Sequence, residues 1–334
     1  MVQATPKELQ QAIVTGIRKT LLELGSSTKA ELSQRLGISF PTVTKFLKQM
    51  EEKEEVRLVG MDDSSGGRRA KRYEYNVDFR RGLSIFLEKT ETSYTVFNCA
   101  GEVKKQEQVP TVLAGGGLEL LAGRIQSICL DDPRIQSIAI GVPGSVENGR
   151  IFFMPEYPDF QHVQLQEYIE AACGIPVVVE NDMNAAVLGY QQTEKVEKEH
   201  SLAYLYLGKN GPGAGILVNG DVVRGGTFFS GEVSFVPQYD ELTFQQALQQ
   251  QPELGEKKVD AISRMVATFA AILNPYAVLF SAEEIGEEML EDIRLRSERY
   301  IPAEHLPKLI ASNWRRDYLH GLQCLGLVMM LEQS

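Results

Sequence analysis

The segment that most limits what this 334-residue chain can become is its first 77 residues, where three helix starts follow one another closely. Thr5-Pro6-Lys7-Glu8 has the form of a capping box. The Thr5 hydroxyl can meet the backbone of Glu8, the Glu8 carboxylate can reach back, and Pro6 sits where no N–H is needed. Leu9, Ile13, Ile17 and Leu21 follow at a spacing that places them on one helix face. Gly25 breaks the pattern. Thr28-Lys29-Ala30-Glu31 is a second box, opening a short helix that contains Leu32 and Leu36. Gly37 stops it, since glycine accepts the left-handed backbone past a helix end. Ser39 caps a third helix whose buried side is Val43, Phe46, Leu47 and Met50.

Two short helices joined by a glycine turn predict a helix-turn-helix, whose second helix enters the major groove of DNA. Ser39, Thr42, Thr44, Lys45 and Lys48 lie at the start of that helix or on its other side, and are of the types that meet base edges and phosphates. Val56 to Val59 and Arg72 to Val77 read as strands, and an acidic helical turn is expected at 51–55. The glycine-rich tip between the strands carries Arg68, Arg69, Lys71 and Arg72, which suits a wing lying on phosphates. Small three-helix domains also serve as protein-binding modules. The charge distribution favours DNA: residues 1–80 hold 14 Lys and Arg against 11 Asp and Glu, whereas the rest holds 20 against 34.

With 43% hydrophobic and 24% charged residues, the composition is that of a soluble globular protein of two or three domains. No stretch has the length of a membrane span, and the N-terminus does not read as a signal peptide. Cys99, Cys129, Cys173 and Cys324 are far apart in apolar surroundings. They are expected to be buried free thiols in a reducing cytoplasm, and no C-x-x-C pair suggests zinc.

Beyond a short hinge at 78–82, strands are expected at 83–88, 93–98 and 103–109, a helix at 117–130 and a buried strand at 135–140. Val177 to Val179 is a further strand running into a helix after Asp182. A second set comprises strands at 201–207, 214–218 and 277–280, a helix at 258–273 and a last apolar helix at 318–332. Strand triplets followed by alternating helix and strand, twice over, predict two α/β lobes. The expected domains are a winged helix-turn-helix at 1–77, a first lobe at 83–190 plus 318–334, and a second at 191–317.

Four segments then carry a resemblance: Gly141-Val142-Pro143-Gly144-Ser145, Glu180-Asn181-Asp182-Met183-Asn184-Ala185-Ala186, the glycine-rich run 207–215, and Ser230-Gly231-Glu232. In this order and spacing they resemble the ROK family of repressors and sugar kinases, built on the actin-like ATPase fold. The resemblance covers the whole chain, because ROK repressors carry an N-terminal winged helix-turn-helix. It implies that Asp182 matches the general base that takes a proton from a sugar hydroxyl, and that Asn181 and Glu232 match sugar-binding positions. Gly144 belongs to the first motif, and Glu156 falls near an Asn that contacts sugar in the family. On the residues alone, Asp182 can equally be the cap of the helix that follows it.

The pattern breaks on the nucleotide side. The family's Asp-x-Gly-Gly-Thr phosphate loop is replaced by Phe86-Leu87-Glu88-Lys89-Thr90-Glu91-Thr92, and the adenosine-side glycines by Phe280-Ser281-Ala282-Glu283-Glu284. β-Carbons and carboxylates there oppose phosphate binding, so no kinase activity and no cofactor are expected. Phe235 stands where the family has a zinc-binding His, and 236–257 has no cysteine, so no metal is expected and packing must hold that loop. Three functions are compatible with the sequence: a sugar- or sugar-phosphate-responsive transcriptional regulator, a DNA-binding protein whose body is only an oligomerisation scaffold, and a sugar kinase. A double-stranded operator and a homodimer or tetramer are the expected partners.

Overall fold

A computed structural model describes residues 5–61, 70–154, 156–208, 211–239, 241–250 and 255–333. In the head, α1 spans Pro6–Leu24, β1 Ser27–Thr28, α2 Lys29–Leu36, α3 Phe40–Glu52, β2 Val56–Met61 and β3 Lys71–Tyr75. Both capping boxes form: Thr5 N–H donates to the Glu8 carboxylate at 2.7 Å, and Thr28 N–H to that of Glu31 at 2.8 Å. Gly37 takes a left-handed φ of 64° after α2. Ile17, Leu21, Leu32, Val43 and Leu47 are fully buried, with β3 between β1 and β2 beside them. Two expectations shift. Leu9 is exposed, so the buried stripe of α1 begins later than the sequence period suggests. The acidic stretch 51–55 is not a separate helical turn, since α3 ends at Glu52 and Glu55 is buried against Arg18.

The body opens with β4 (Arg81–Leu87), β5 (Glu91–Asn98), β6 (Val103–Pro110), α4 (Gly117–Asp131), β7 (Ile135–Val142), the hairpin β8 (Ser145–Glu147) and β9 (Arg150–Phe153), α5 (Leu165–Cys173), β10 (Val177–Asn181) and α6 (Asp182–Thr193). There follow β11 (Leu202–Tyr206), β12 (Gly213–Val218), β13 (Asp221–Val222), β14 (Pro237–Gln238), β15 (Leu242–Thr243), α7 (Phe244–Gln249), α8 (Glu256–Leu273), β16 (Ala277–Ser281), α9 (Glu287–Ser297), β17 (Lys308–Ser312) and α10 (Trp314–Glu332). The first lobe's sheet has the order β10-β7-β4-β5-β6 and the second β13-β12-β11-β16-β17. In each, an antiparallel meander of three strands is extended by two parallel strands on its first strand's free side. The same topology therefore occurs twice, as two α/β lobes require.

Helices α6 and α10 form the layer between the sheets, α6 against β11 and β12, α10 against β4 and β7. Their backbones touch. A Cβ on Gly189 would lie 1.8 Å from the Asp317 carbonyl oxygen, and one on Gly321 1.9 Å from that of Ala185. The helix expected from 318 begins at Trp314 because Asn313 caps it, accepting from Arg316 N–H at 2.9 Å. The C-terminal end of α10 docks on the head. Arg18, on α1, donates to the Leu331 carbonyl at 2.9 Å, and Arg80 to that of Met330 at 2.8 Å. Segment 78–82 is thus packed rather than hinge-like: Arg80 is buried and Arg81 pairs with Asp132. Among the described residues no helix is long and apolar enough to cross a membrane.

Candidate functional site

Strand β10 and helix α6 meet at the floor of a cavity between the lobes. Asn181 ends the strand and caps the helix, its side-chain oxygen accepting from Met183 N–H at 2.9 Å and Asn184 N–H at 3.0 Å. The cap role considered for Asp182 therefore falls to its neighbour. Asn181 also donates to the Gly144 carbonyl at 3.1 Å and to Asp182 at 2.9 Å. Across the cavity, Glu232 accepts from the Ser145 hydroxyl at 2.7 Å. Asn181, Asp182, Glu232, Gly144 and Glu156 all line this one cavity. Gly144 is required by close approach, since a Cβ there would lie 2.6 Å from the Phe153 carbonyl. Glu156 is engaged by Lys89 at 3.1 Å at the rim.

Electrostatics set the protonation of this floor. Burial, reinforced by the Glu88 and Glu232 carboxylates, pushes Asp182 up to about 8 against the bonds it accepts. Burial also raises Glu232, opposed by Ser145. A carboxyl held neutral near pH 7 donates as well as accepts, and both are needed to pair with hydroxyls. Sequence reading missed Arg224, which lines the cavity and pairs with the buried carboxylate of Glu180, and Ser145 as the partner of Glu232. Ser145 sits inside the Gly141–Ser145 motif and was legible there. Arg224 has no local signal, because its partner is 44 residues away.

The nucleotide side is carboxylate-rich. Glu88 is buried at the end of β4, Glu91 pairs with Arg315, and Arg315 reaches Glu283 at 3.8 Å. Glu284 accepts from the backbone N–H of Leu207 at 2.9 Å, and burial pushes it up to about 7. That N–H opens the loop that the family resemblance assigns to phosphate, and an internal carboxylate already uses it. Lys209 and Asn210 of that loop lie outside the described residues. Beneath it, Trp314 is buried and stacks on Tyr206 at 4.4 Å, a packing role.

Phe235 packs with Phe229 and Phe153, at ring separations of 5.3 and 6.3 Å. The following segment is held by the fully buried Phe244 and by Tyr239, whose hydroxyl donates to Asp260 at 3.0 Å. These contacts pack the described part of that segment.

In the head, Lys45, Lys48 and Lys71 are exposed, and Lys48 pairs with Glu52 at 3.7 Å. Ser39 caps α3, its hydroxyl 2.8 Å from that of Thr42. Two residues differ from expectation. The Thr44 hydroxyl is buried without a partner among the described residues, so it does not face outward. Arg72 turns inward to the Ser26 carbonyl at 3.1 Å and Glu31 at 3.0 Å, holding the wing strand to α2. Arg68 and Arg69 lie outside the described residues.

Comparison with known proteins agrees with this architecture. The chain is 29% identical over 230 residues to a putative xylose repressor of Caldicellulosiruptor sp. (strain Rt8B.4), a match covering 65% of this chain and 56% of that one. The chain thus spans only about half the length of such relatives. It is 32% identical over 127 residues to a β-glucoside kinase of Listeria innocua, covering 37% of this chain and 42% of the kinase. Among solved structures, a ROK family transcriptional regulator described as a homologue of the E. coli MLC protein superposes with a TM-score of 0.74. It does so at 19% identity, over 98% of this chain and 100% of that one. The ROK family profile matches residues 83–251, the segment that supplies Asn181, Asp182 and Glu232, and this chain belongs to the ROK family.

Proposed function

We propose that the chain is a DNA-binding transcriptional regulator, acting as a repressor, whose body binds a sugar or sugar derivative between its lobes and has no kinase activity. The observation that carries this reading is the contrast between the two sides of one cleft. The hydroxyl-binding floor of Asn181, Asp182 and Glu232 converges on an open cavity, while the phosphate side is lined by Glu88, Glu91, Glu283 and Glu284. Phosphoryl transfer needs charge neutralisation, and carboxylates there oppose it. The repressor-named relatives and a head with exposed Lys45, Lys48 and Lys71 support a DNA-directed output. Glu156, already paired with Lys89, favours a second reading in which the body is only an oligomerisation scaffold.

Thermal melts with a panel of sugars and sugar phosphates, combined with gel shifts on DNA selected from a random pool, test this. A sugar at 100-fold over its Kd adds about 2.7 kcal/mol of stability. The same sugar should change DNA affinity, and Asp182→Ala should abolish both effects. If no sugar shifts the melt and Asp182→Ala leaves DNA binding and release unchanged, the scaffold reading replaces this one. Clear ATP turnover with any hexose would overturn the non-enzymatic assignment.

A further inference from the structure

We infer that the cleft selects a sugar carrying a flat apolar substituent, such as an aryl glycoside, over the bare monosaccharide. This rests on the sugar-binding reading above and names the ligand's chemical class.

Two of the segments that line the cavity interleave polar and aromatic groups. Hairpin β8–β9 places Ser145 directly across from Phe153. In segment 228–235, Glu232 is flanked by Phe229 and Phe235. Phe153, Phe229 and Phe235 form a closed triangle of rings, with separations of 6.1, 6.3 and 5.3 Å. Phe153 and Phe235 line the cavity, with Phe235 51% exposed, and Phe229, 40% exposed, packs on both from outside the lining. Phe228, which lines the same cavity, is held at a φ of 57°, a left-handed conformation that a bulky side chain resists. Such an outlier persists where the surroundings over-determine it, and these cluster at ligand sites.

The chemistry of the rim differs from that of the floor. A pyranose needs hydrogen-bond partners around its edge, which Asn181, Asp182, Glu232 and Ser145 provide. The rings offer none. They offer flat apolar faces and edges, which a second aromatic ring covers with favourable offset or edge-to-face geometry. The cavity itself holds about 170 Å³, below the roughly 300–1,000 Å³ typical of sites for drug-sized ligands, so a substituent beyond one sugar ring would lie outside it, over the exposed rings of the rim. Charge argues against a phosphate as the substituent: among the described residues the cation lining the cavity is Arg224, paired with Glu180, while Asp182, Glu232 and Glu156 line the same space.

The test is calorimetric titration of the full chain with methyl and phenyl glucosides and xylosides in both anomeric forms. At least one phenyl glycoside should bind about 10-fold more tightly than its methyl counterpart. Phe229→Ala with Phe235→Ala should reduce that preference below about twofold while leaving methyl-glycoside affinity unchanged. Where the alanine pair does not fold, Phe235→Leu keeps apolar bulk without the flat ring and should show a reduced preference. Equal affinity for methyl and phenyl forms overturns this inference and leaves the sugar-binding reading intact. No binding by any glycoside overturns both. If the alanine pair changes the sedimentation-defined oligomeric state with the phenyl preference intact, the rim is a contact between copies and the inference fails.

Discussion

Asp182 shows what placement does to a side chain that sequence names but does not tune. The Glu-Asn-Asp run singles it out as a candidate, and only the fold supplies the burial and neighbouring carboxylates that raise it to about 8 from its ordinary 3.8. The unfolded chain releases this proton near the ordinary value, whereas the folded protein keeps it until about 8. The folded state therefore binds more protons between those limits, and stability contributed here is present at low pH and lost as pH rises through the folded value. Glu284, at about 7, adds a slope of the same sign. Asp182→Asn keeps an acceptor for Met183 N–H and stays neutral. Its melting temperature should match wild type at about pH 4, near the unfolded value, and exceed it increasingly as pH rises to about 8, with a gain on the order of several kcal/mol. A pH series of melts checks this; parallel curves would mean Asp182 is charged throughout. Arg72 and Thr44 show the opposite case. Their types suit DNA, but a side chain's direction depends on partners such as Ser26 and Glu31, which no local spacing reveals.

At the scale of elements, helix boundaries in the head were readable because capping is local: Thr5 with Glu8, Thr28 with Glu31 and Ser39 with Thr42 are each three residues apart. The duplicated sheet order was not, since β4 pairs with β7 and β7 with β10 only through crossovers that carry no signature in either strand. The helix expected from 318 starts four residues earlier, at Trp314, whose ring packs with Phe86 and Tyr206 between the lobes. The crossing of α6 and α10 holds the cleft in register, and it depends on missing side chains. Gly321→Ala places a methyl group 1.9 Å from the Ala185 carbonyl, against backbone that cannot rotate away. The helices must separate, shifting Asn181 and Asp182 at the start of α6. The variant should lose about 1–3 kcal/mol or more in denaturant unfolding, and weaken sugar binding without touching a ligand contact. Gly123→Ala, on α4, has nothing within 4 Å and should be neutral or stabilising in the same assay.

The whole molecule joins these scales through one helix. The N-terminal end of α10 lies under the cleft, where Trp314 stacks on Tyr206, and its last carbonyls are gripped by the head. Thr15 donates to Leu331 at 3.2 Å, and Arg18 to Leu331 and Gln333 while pairing with Glu55 at 2.6 Å, both side chains almost fully buried. Nothing in the sequence announced this clamp, because Arg18 and Leu331 are 313 residues apart. Arg18→Met should cost about 3–5 kcal/mol, since it leaves the Glu55 charge buried without its cation. The double variant Arg18→Met, Glu55→Met removes both charges and should recover most of that loss. Its value is in separating stability from communication. If α10 carries the cleft's state to the head, the double variant should bind sugar and DNA with near-native affinities measured separately. The factor by which sugar changes DNA affinity should then fall toward one, and by linkage so should the factor by which DNA changes sugar affinity. Native coupling in the stable double variant would show that the two sites communicate by some route other than the grip of Arg18 on the end of α10.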